Sequence, residues 1–163
     1  MERLWAPWRL DYIQGEKGEG DCIFCLGERA AEDTSRLVLA RTPLACVLMN
    51  RYPYSNGHLL IAPHRHMSDF DSLSEAEALD MHRLLRRSRQ VLAERVGAQG
   101  FNIGMNLGQI AGAGIADHLH LHIVPRWSGD TNFMPVFADV RVIPQHLLTT
   151  YELLRDGFSG SES

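Results

Sequence analysis

In the stretch HLHLHIVPRW, His118 to Trp127, three of the chain's eight histidines alternate with leucine. That period of two belongs to an extended strand. It sends His118, His120 and His122 to one face and Leu119, Leu121 and Ile123 to the other. The segment is predicted to be a strand with one face for chemistry and one for packing. With a rise of about 3.3 Å per residue, neighbouring histidines start about 6.6 Å apart and the outer two about 13 Å apart. Two neighbours can share a zinc ion, whereas three on one ion require a bent strand. The row better suits an extended anion, a polyphosphate or phosphodiester lying along the strand. Neutral imidazole, with an ordinary pKa of about 6.5, is also a nucleophile toward phosphorus. One ring can attack while its neighbours orient it and donate protons. Catalysis of phosphoryl transfer is mostly positioning and charge stabilisation, and the small residues of GMNLGQIAGAG let backbone approach an anionic group closely. A solvated strand face that happens to carry histidine is the plainer alternative.

The rest of the chain supplies the elements around that strand. Beta-like runs at Leu37 to Ala40 and Ala45 to Met49 precede RYPYSNGH, whose Asn56-Gly57 pair is a hairpin signal leading into HLLIAP. Ser74 and Glu77 are spaced as a capping box. Behind them Ala78, Met81, Leu85, Ser88 and Leu92 form a helical stripe ending near Gly97. GFNIGMNLG reads as a strand, QIAGAGIAD as a small-residue loop, and QHLLTTYELLRD as a C-terminal helix. The order β, β, β, helix, β, β predicts an α+β fold, an antiparallel sheet with one long helix and a C-terminal helix, rather than a doubly wound parallel sheet. CIFCLGERAAED is expected to hold a turn and a short helix. WSGDTNFMPVFADVRVIP is expected to be loop with one short strand. Gln14 to Asp21 reads as a Gly-rich loop after an aromatic arm containing Trp5, Trp8 and Tyr12.

At 163 residues the chain suits one ordinary domain, taken as residues 1–155 with a disordered tail at 156–163. A net charge of −4, from 16 Lys+Arg against 20 Asp+Glu, provides no global pull toward nucleic acid or an anionic membrane. Arg83, Arg86, Arg87 and Arg89 have Glu75, Glu77, Asp80 and Glu94 nearby and read as a solvated helix face. No stretch reaches the apolar length of a membrane span, and MERLWAPWRLDYI lacks the apolar run of a signal peptide. The expected location is cytoplasmic. Three cysteines, Cys22, Cys25 and Cys46, suit reduced thiols rather than a disulfide framework. Cys46, inside an apolar run, is expected in the core. Cys22-Ile-Phe-Cys25 has the spacing of half a zinc site, a spacing it shares with redox pairs. His82 and His146 read as surface or packing residues, and the indole of Trp127 is left open between packing and a nucleobase contact.

His118-Leu119-His120-Leu121-His122-Ile123-Val124 resembles the histidine-triad (HIT) superfamily signature, His-x-His-x-His followed by two apolar residues. The likeness runs from CIFC through NRYPYSNGHLLIAPHRH and GFNIGMNLG to HLHLHIVPRW. The stretches NIGMNLG, GAGIADHLHLHIVPRW and GDTNFMPV are similar to a bacterial branch containing dinucleoside tetraphosphate phosphorylases and hydrolases. The resemblance implies an α+β fold, a homodimer and a reaction at a nucleotide's α-phosphate. It implies that His120 is the nucleophile carrying a transient nucleotidyl group. His118 and His122 would orient it, hold phosphate oxygens and assist the leaving group, and His58 would complete the set. Asn50 matches a ribose-contacting position, Asn106 a polar position near the phosphates, and His122 is shared between catalysis and nucleotide binding. Many members carry Gly-Gln shortly before the triad. Here Ala113 and Gly114 stand there, which makes Gly114 a candidate nucleotide-binding position and leaves open how the leaving group or acceptor is handled. Zinc-bearing relatives complete the cysteine pair with two histidines that match His66 and His118, so a structural zinc on Cys22, Cys25, His66 and His118 is implied, with His64 the competitor for His66. The expected activity is cleavage of diadenosine tetraphosphate-type dinucleoside polyphosphates, with phosphate or water as acceptor. Phosphoramidase activity, a low-turnover nucleotide-binding protein and metal-dependent hydrolysis are the alternatives.

Overall fold

A computed structural model of the chain describes residues 22–27, 30–111, 117–130 and 146–159. The elements in chain order are β1 (Val38–Arg41), β2 (Ala45–Met49), β3 (Leu59–Pro63), α1 (Glu75–Val96), β4 (Gly100–Met105), β5 (Leu121–Arg126) and α2 (Leu147–Ser159). Short 3-10 turns lie at Ala30–Glu32, Phe70–Ser72 and Gln109–Ala111. The strands form one sheet in the order β1-β2-β3-β5-β4, each neighbouring pair antiparallel. This is the expected α+β architecture. Among the described residues no helix is long and apolar enough to cross a membrane.

Two apolar layers explain the uninterrupted runs ACVLM and LLIAP, whose residues are all buried. A strand covered on both faces has no polar side to alternate with. Ala45, Val47 and Met49 share one face with Leu59 and Ile61, under Met81, Leu84, Val91 and Leu92 of α1 and Tyr151 and Leu154 of α2. Cys46 and Leu48 share the other with Leu60 and Ala62, and that face is closed by Phe24 and Leu26 of the N-terminal segment. Fully burying each of these larger side chains contributes about 1.5–3 kcal/mol. Burial pushes the Cys46 thiol up to about 12, so it behaves as the expected core residue.

Helix α1 begins where the capping box places it. Ser74 Oγ accepts from the Glu77 amide at 3.3 Å, and Glu77 Oε2 accepts from the Ser74 amide at 2.9 Å. Gly97 ends it in the left-handed region at φ 64°. The buried stripe is rotated from the predicted one. Glu77, Asp80, Met81, Leu84, Ser88, Val91 and Leu92 are buried, whereas Ala78 is exposed. Hydrogen bonds cause the rotation. Asp80 Oδ2 accepts from the Thr42 hydroxyl at 2.7 Å and the Leu44 amide at 3.0 Å, while Glu77 receives Arg65, so two carboxylates lie on the face that periodicity assigns to apolar residues.

The C-terminal helix runs beyond the expected boundary. Asp156 to Ser159 are helical rather than part of a disordered tail, and residues 160–163 lie outside the described region, as do the expected loops and arm at residues 1–21 and 131–145. The extension holds because α2 docks on α1. Tyr151 Oη donates to the Val38 carbonyl at 2.9 Å, and Arg87 Nη2 donates to the Gly157 carbonyl at 2.7 Å. A Cβ on Gly157 would stand 2.7 Å from Val91 Cγ1 and 3.2 Å from Arg95 Cγ. Gly157→Ala improves helix propensity by about 1 kcal/mol but forces the two helices apart. A net loss of about 1–2 kcal/mol is expected in denaturant unfolding. An unchanged midpoint would show that the helices yield without cost.

Candidate active site and metal cluster

Antiparallel pairing places the site on the sheet face that the helices leave open. His122 stands opposite Leu60 on β3 and Gly104 on β4, and residues directly opposite share a face. Its side is therefore that of Leu60, Ala62 and Phe24, away from α1. A Cβ on Gly104 would meet nothing within 4 Å, so there is open space beside His122. Asn106 lies one residue beyond Met105, where the pairing of β4 with β5 ends.

The three histidines do not form the evenly spaced row expected of a straight strand. Regular strand begins at Leu121, so only His122 lies within β5, and His118 and His120 precede it. Phe24 packs against both of them, with ring centroids 5.1 Å from His118 and 4.9 Å from His120. His120 meets His122 edge-on at 4.8 Å. Each ring has a different set of partners, and those partners assign its tautomer.

His120 is buried and donates Nδ1–H to the His118 carbonyl at 2.8 Å, which leaves the lone pair on Nε2. Burial lowers its pKa from the ordinary imidazole value, and the carbonyl hydrogen bond opposes that shift. His58, fully buried at the end of the loop before β3, accepts at Nδ1 from the Tyr54 amide and the Asn50 side-chain amide, each at 3.2 Å. Its proton is then on Nε2, 2.9 Å from His122 Nδ1. His122 accepts there and, when neutral, carries its own proton on Nε2. The chain from Asn50 through His58 to His122 thus leaves a donor at His122 Nε2, an atom shielded from solvent. Tyr54 stacks on His58 at 5.0 Å with planes 17° apart and holds the ring in place. Asn50 also accepts the Tyr52 amide through Oδ1 at 3.0 Å, so its side chain bridges the loop and His58.

His118 has a different role. Its Nε2–H donates to the Pro63 carbonyl at 2.9 Å, and its Nδ1 lies 3.2 Å from Cys22 Sγ and 3.8 Å from Cys25 Sγ. Both ring nitrogens are engaged, so the expectation that His118 also holds phosphate oxygens does not match its placement. His66 Nδ1 lies 3.3 Å from Cys25 Sγ, and the four ligand atoms of Cys22, Cys25, His66 and His118 all lie within 4.8 Å of one another. A tetrahedral zinc with bonds of about 2.0–2.3 Å separates its ligand atoms by about 3.3–3.8 Å. The residues fit the metal in donor type, three of their separations, at 3.2, 3.3 and 3.8 Å, stand close to that spacing, and the Pro63 carbonyl fixes the His118 tautomer that such binding requires. His64 is excluded by direction, since its Nε2 meets the Thr42 carbonyl at 2.8 Å.

Two arginines hold the halves of this cluster. Arg36 Nη2 donates to the carbonyls of Cys22 and Ile23, both at 3.3 Å, and of Cys25 at 3.4 Å, which tightens the turn carrying both thiols. Arg65, between the two loop histidines, binds Glu77 at 2.9 and 2.8 Å and anchors the His66 turn to α1. Arg65 and the Ser74 amide hold the Glu77 carboxyl at about 2, below its ordinary 4.5. A depressed folded-state pKa stabilises the fold above pH 4.5 and ceases to do so as pH falls toward 2. Glu77→Gln keeps an acceptor for the cap but loses the charge that faces Arg65, and is expected to cost about 1 kcal/mol at pH 7. The gap from the parent should close between about pH 5 and 2, and a pH-independent gap in thermal melts would refute the assignment.

Arg36, Phe24 and Tyr54 were not identified from the sequence. Arg36 binds backbone carbonyls, which carry no residue-type signal. The two aromatics act through contacts with distant histidines. Gly114 lies outside the described residues. Trp127 is committed to packing, with Nε1–H donating to the Val96 carbonyl at 3.0 Å, and His82 is exposed as expected.

The family model for the HIT domain matches residues 31–129. An AP-4-A phosphorylase of Mycobacterium tuberculosis is 35% identical over 161 residues, covering 94% of this chain and 83% of the relative. A bis(5'-nucleosyl)-tetraphosphatase (asymmetrical) of Schizosaccharomyces pombe is 29% identical, over 77% of this chain and 69% of the relative. A Zn-bound histidine triad family protein from Mycobacterium smegmatis shares the fold at a TM-score of 0.65 and 22% identity, covering 85% of this chain and 94% of the other. With the family match spanning more than half its length and an end-to-end relative above 30% identity, the chain belongs to the HIT family.

Proposed function

We propose that this HIT-family chain is a nucleotidyl transferase or hydrolase that cleaves dinucleoside polyphosphates of the diadenosine tetraphosphate type at the α-phosphate. The observation that carries this reading is the tautomer of His120, whose Nδ1–H is bound to the His118 carbonyl so that Nε2 is available to attack. The Nε2 lone pair forms a bond to the α-phosphorus. The bond from phosphorus to the bridging oxygen breaks, and its electron pair leaves with the nucleoside polyphosphate. His122, with its tautomer set by His58, donates to the phosphate oxygens from Nε2. An oxygen of phosphate or water then attacks phosphorus, and the pair of the P–N bond returns to His120. The open space at Gly104 supplies room for the nucleotide, and Asn106, just beyond the end of β4, and Gly114 belong to the same proposed site. The AP-4-A phosphorylase relative, matched almost end to end, supports this substrate class.

Cys22, Cys25, His66 and His118 would hold the zinc that the fit of their donor atoms favours. When bound, it supplies a structural cross-link between the N-terminal segment and the residues leading into β5. A homodimer is the assembly that best accounts for β4, a sheet-edge strand with Ile103 49% exposed beside half-buried Phe101 and Met105. Sedimentation equilibrium reading a monomer at micromolar concentration would remove that part of the reading.

Incubation with diadenosine tetraphosphate, with and without phosphate, tests the function. Paired ADP and ATP in phosphate indicate phosphorolysis, and AMP plus ATP indicate hydrolysis. Stability of the substrate under both conditions, with turnover of an adenosine phosphoramidate instead, would replace this reading with the phosphoramidase one.

A further inference from the structure

The nucleophile proposed above is packed face to face against Phe24, the residue between Ile23 and Cys25. The ring centroids are 4.9 Å apart with planes 30° from parallel, and Phe24 is fully buried. We infer that Phe24 is a positioning residue for the nucleotidyl-transfer step, holding the His120 ring in its attacking orientation and stabilising the positive charge that develops on it. The inference rests on the assignment of His120 as nucleophile.

The charge follows from the bonding. Before attack the ring is neutral, with a proton on Nδ1 bound to the His118 carbonyl. When Nε2 bonds to phosphorus, the bridging P–O bond breaks and its pair departs on the leaving oxygen. Nδ1 keeps its proton, so both nitrogens are substituted and the imidazole becomes a cation. When the acceptor oxygen of water or phosphate displaces it, the P–N pair returns and the charge disappears. The negative π-face of a phenyl ring attracts a cation within about 6 Å of its centroid, most strongly where water is excluded. Phe24 meets both conditions, so its interaction strengthens as the adduct forms and favours the reacting state over the resting one. The Arg36 clamp and the Cys22 to Cys25 turn hold Phe24 against the ring. Aliphatic residues would close this side of the sheet as well, as Leu26, Leu48 and Leu60 do around it. Only an aromatic one adds the charge interaction.

Fluorination tests this without changing the shape of the core, because each fluorine weakens the π-face while the ring remains nearly the same size. Phenylalanine, mono-, di- and trifluorophenylalanine at position 24 are compared by rapid-quench measurement of nucleotidyl-enzyme formation from diadenosine tetraphosphate, with AMP affinity measured beside it. The expected result is a graded fall in the rate of adduct formation, roughly tenfold across the series, at constant AMP affinity. Phe24→Leu, which keeps an apolar filling, should be slowed by roughly the same factor. A flat series, or a Leu variant forming adduct at the parent rate, overturns the inference while the nucleophile assignment survives. If the parent forms no adduct at His120, both the assignment and the inference fail.

Discussion

Replacing His120 by glycine is expected to reduce dinucleoside polyphosphate cleavage by roughly 10^4-fold or more, with nucleotide affinity nearly unchanged. The fold should survive, because the ring precedes β5 rather than lying under α1 and α2, where most of the large core side chains pack. The loss is large because no neighbour can substitute. His118 has both nitrogens engaged by the thiols and the Pro63 carbonyl, and His122 presents Nδ1 to His58. His122→Asn should cost less, roughly 10^2- to 10^3-fold, since it removes a donor to oxygen rather than the atom that bonds to phosphorus. Steady-state assays and mass spectrometry of acid-quenched enzyme measure both. A glycine variant within tenfold of the parent would refute the proposed mechanism.

The second large effect is expected from metal removal. If zinc occupies the cluster at a free concentration near 1,000 times its dissociation constant, binding stabilises the folded state by about 4 kcal/mol. For a chain of this size that corresponds to about 8–16 °C in melting temperature. A chelator should lower Tm by that amount, and elemental analysis should find one zinc per chain. His66→Ala should abolish both the metal and the chelator response, whereas His64→Ala should retain both, because its ring is turned to the Thr42 carbonyl. Activity should decline with the structure of the N-terminal segment, whose Phe24 sits on His120. Purified protein without metal, with Tm indifferent to chelation, would leave the cluster as a set of neighbouring thiols and imidazoles.

Features that depend on near neighbours were legible in the sequence. The capping box, the Gly97 stop and the β2 and β3 runs were placed correctly because each arises within a few residues of backbone. The helical stripe was only partly legible. Its rotation follows from Arg65 and the turn between β1 and β2, which supply hydrogen bonds from outside the helix and make burial of Glu77 and Asp80 favourable. The end of α2 was misjudged for the same reason, since Gly157 looks like a helix breaker until Val91 is seen packed against it.

The residues of the candidate site show the same division. Alternation of His118, His120 and His122 by itself determined that imidazoles would be concentrated beside one strand, and CxxC determined that two thiols would share a turn. Their division of labour was decided by tertiary structure alone. His118 joins thiols more than 90 residues away, His122 pairs with His58 across the sheet, and Phe24 is brought onto His120. Periodicity sets the direction in which a side chain leaves its own backbone. The tautomer and role of an imidazole depend on what that side chain meets, and those partners come from distant parts of the chain that only folding brings together.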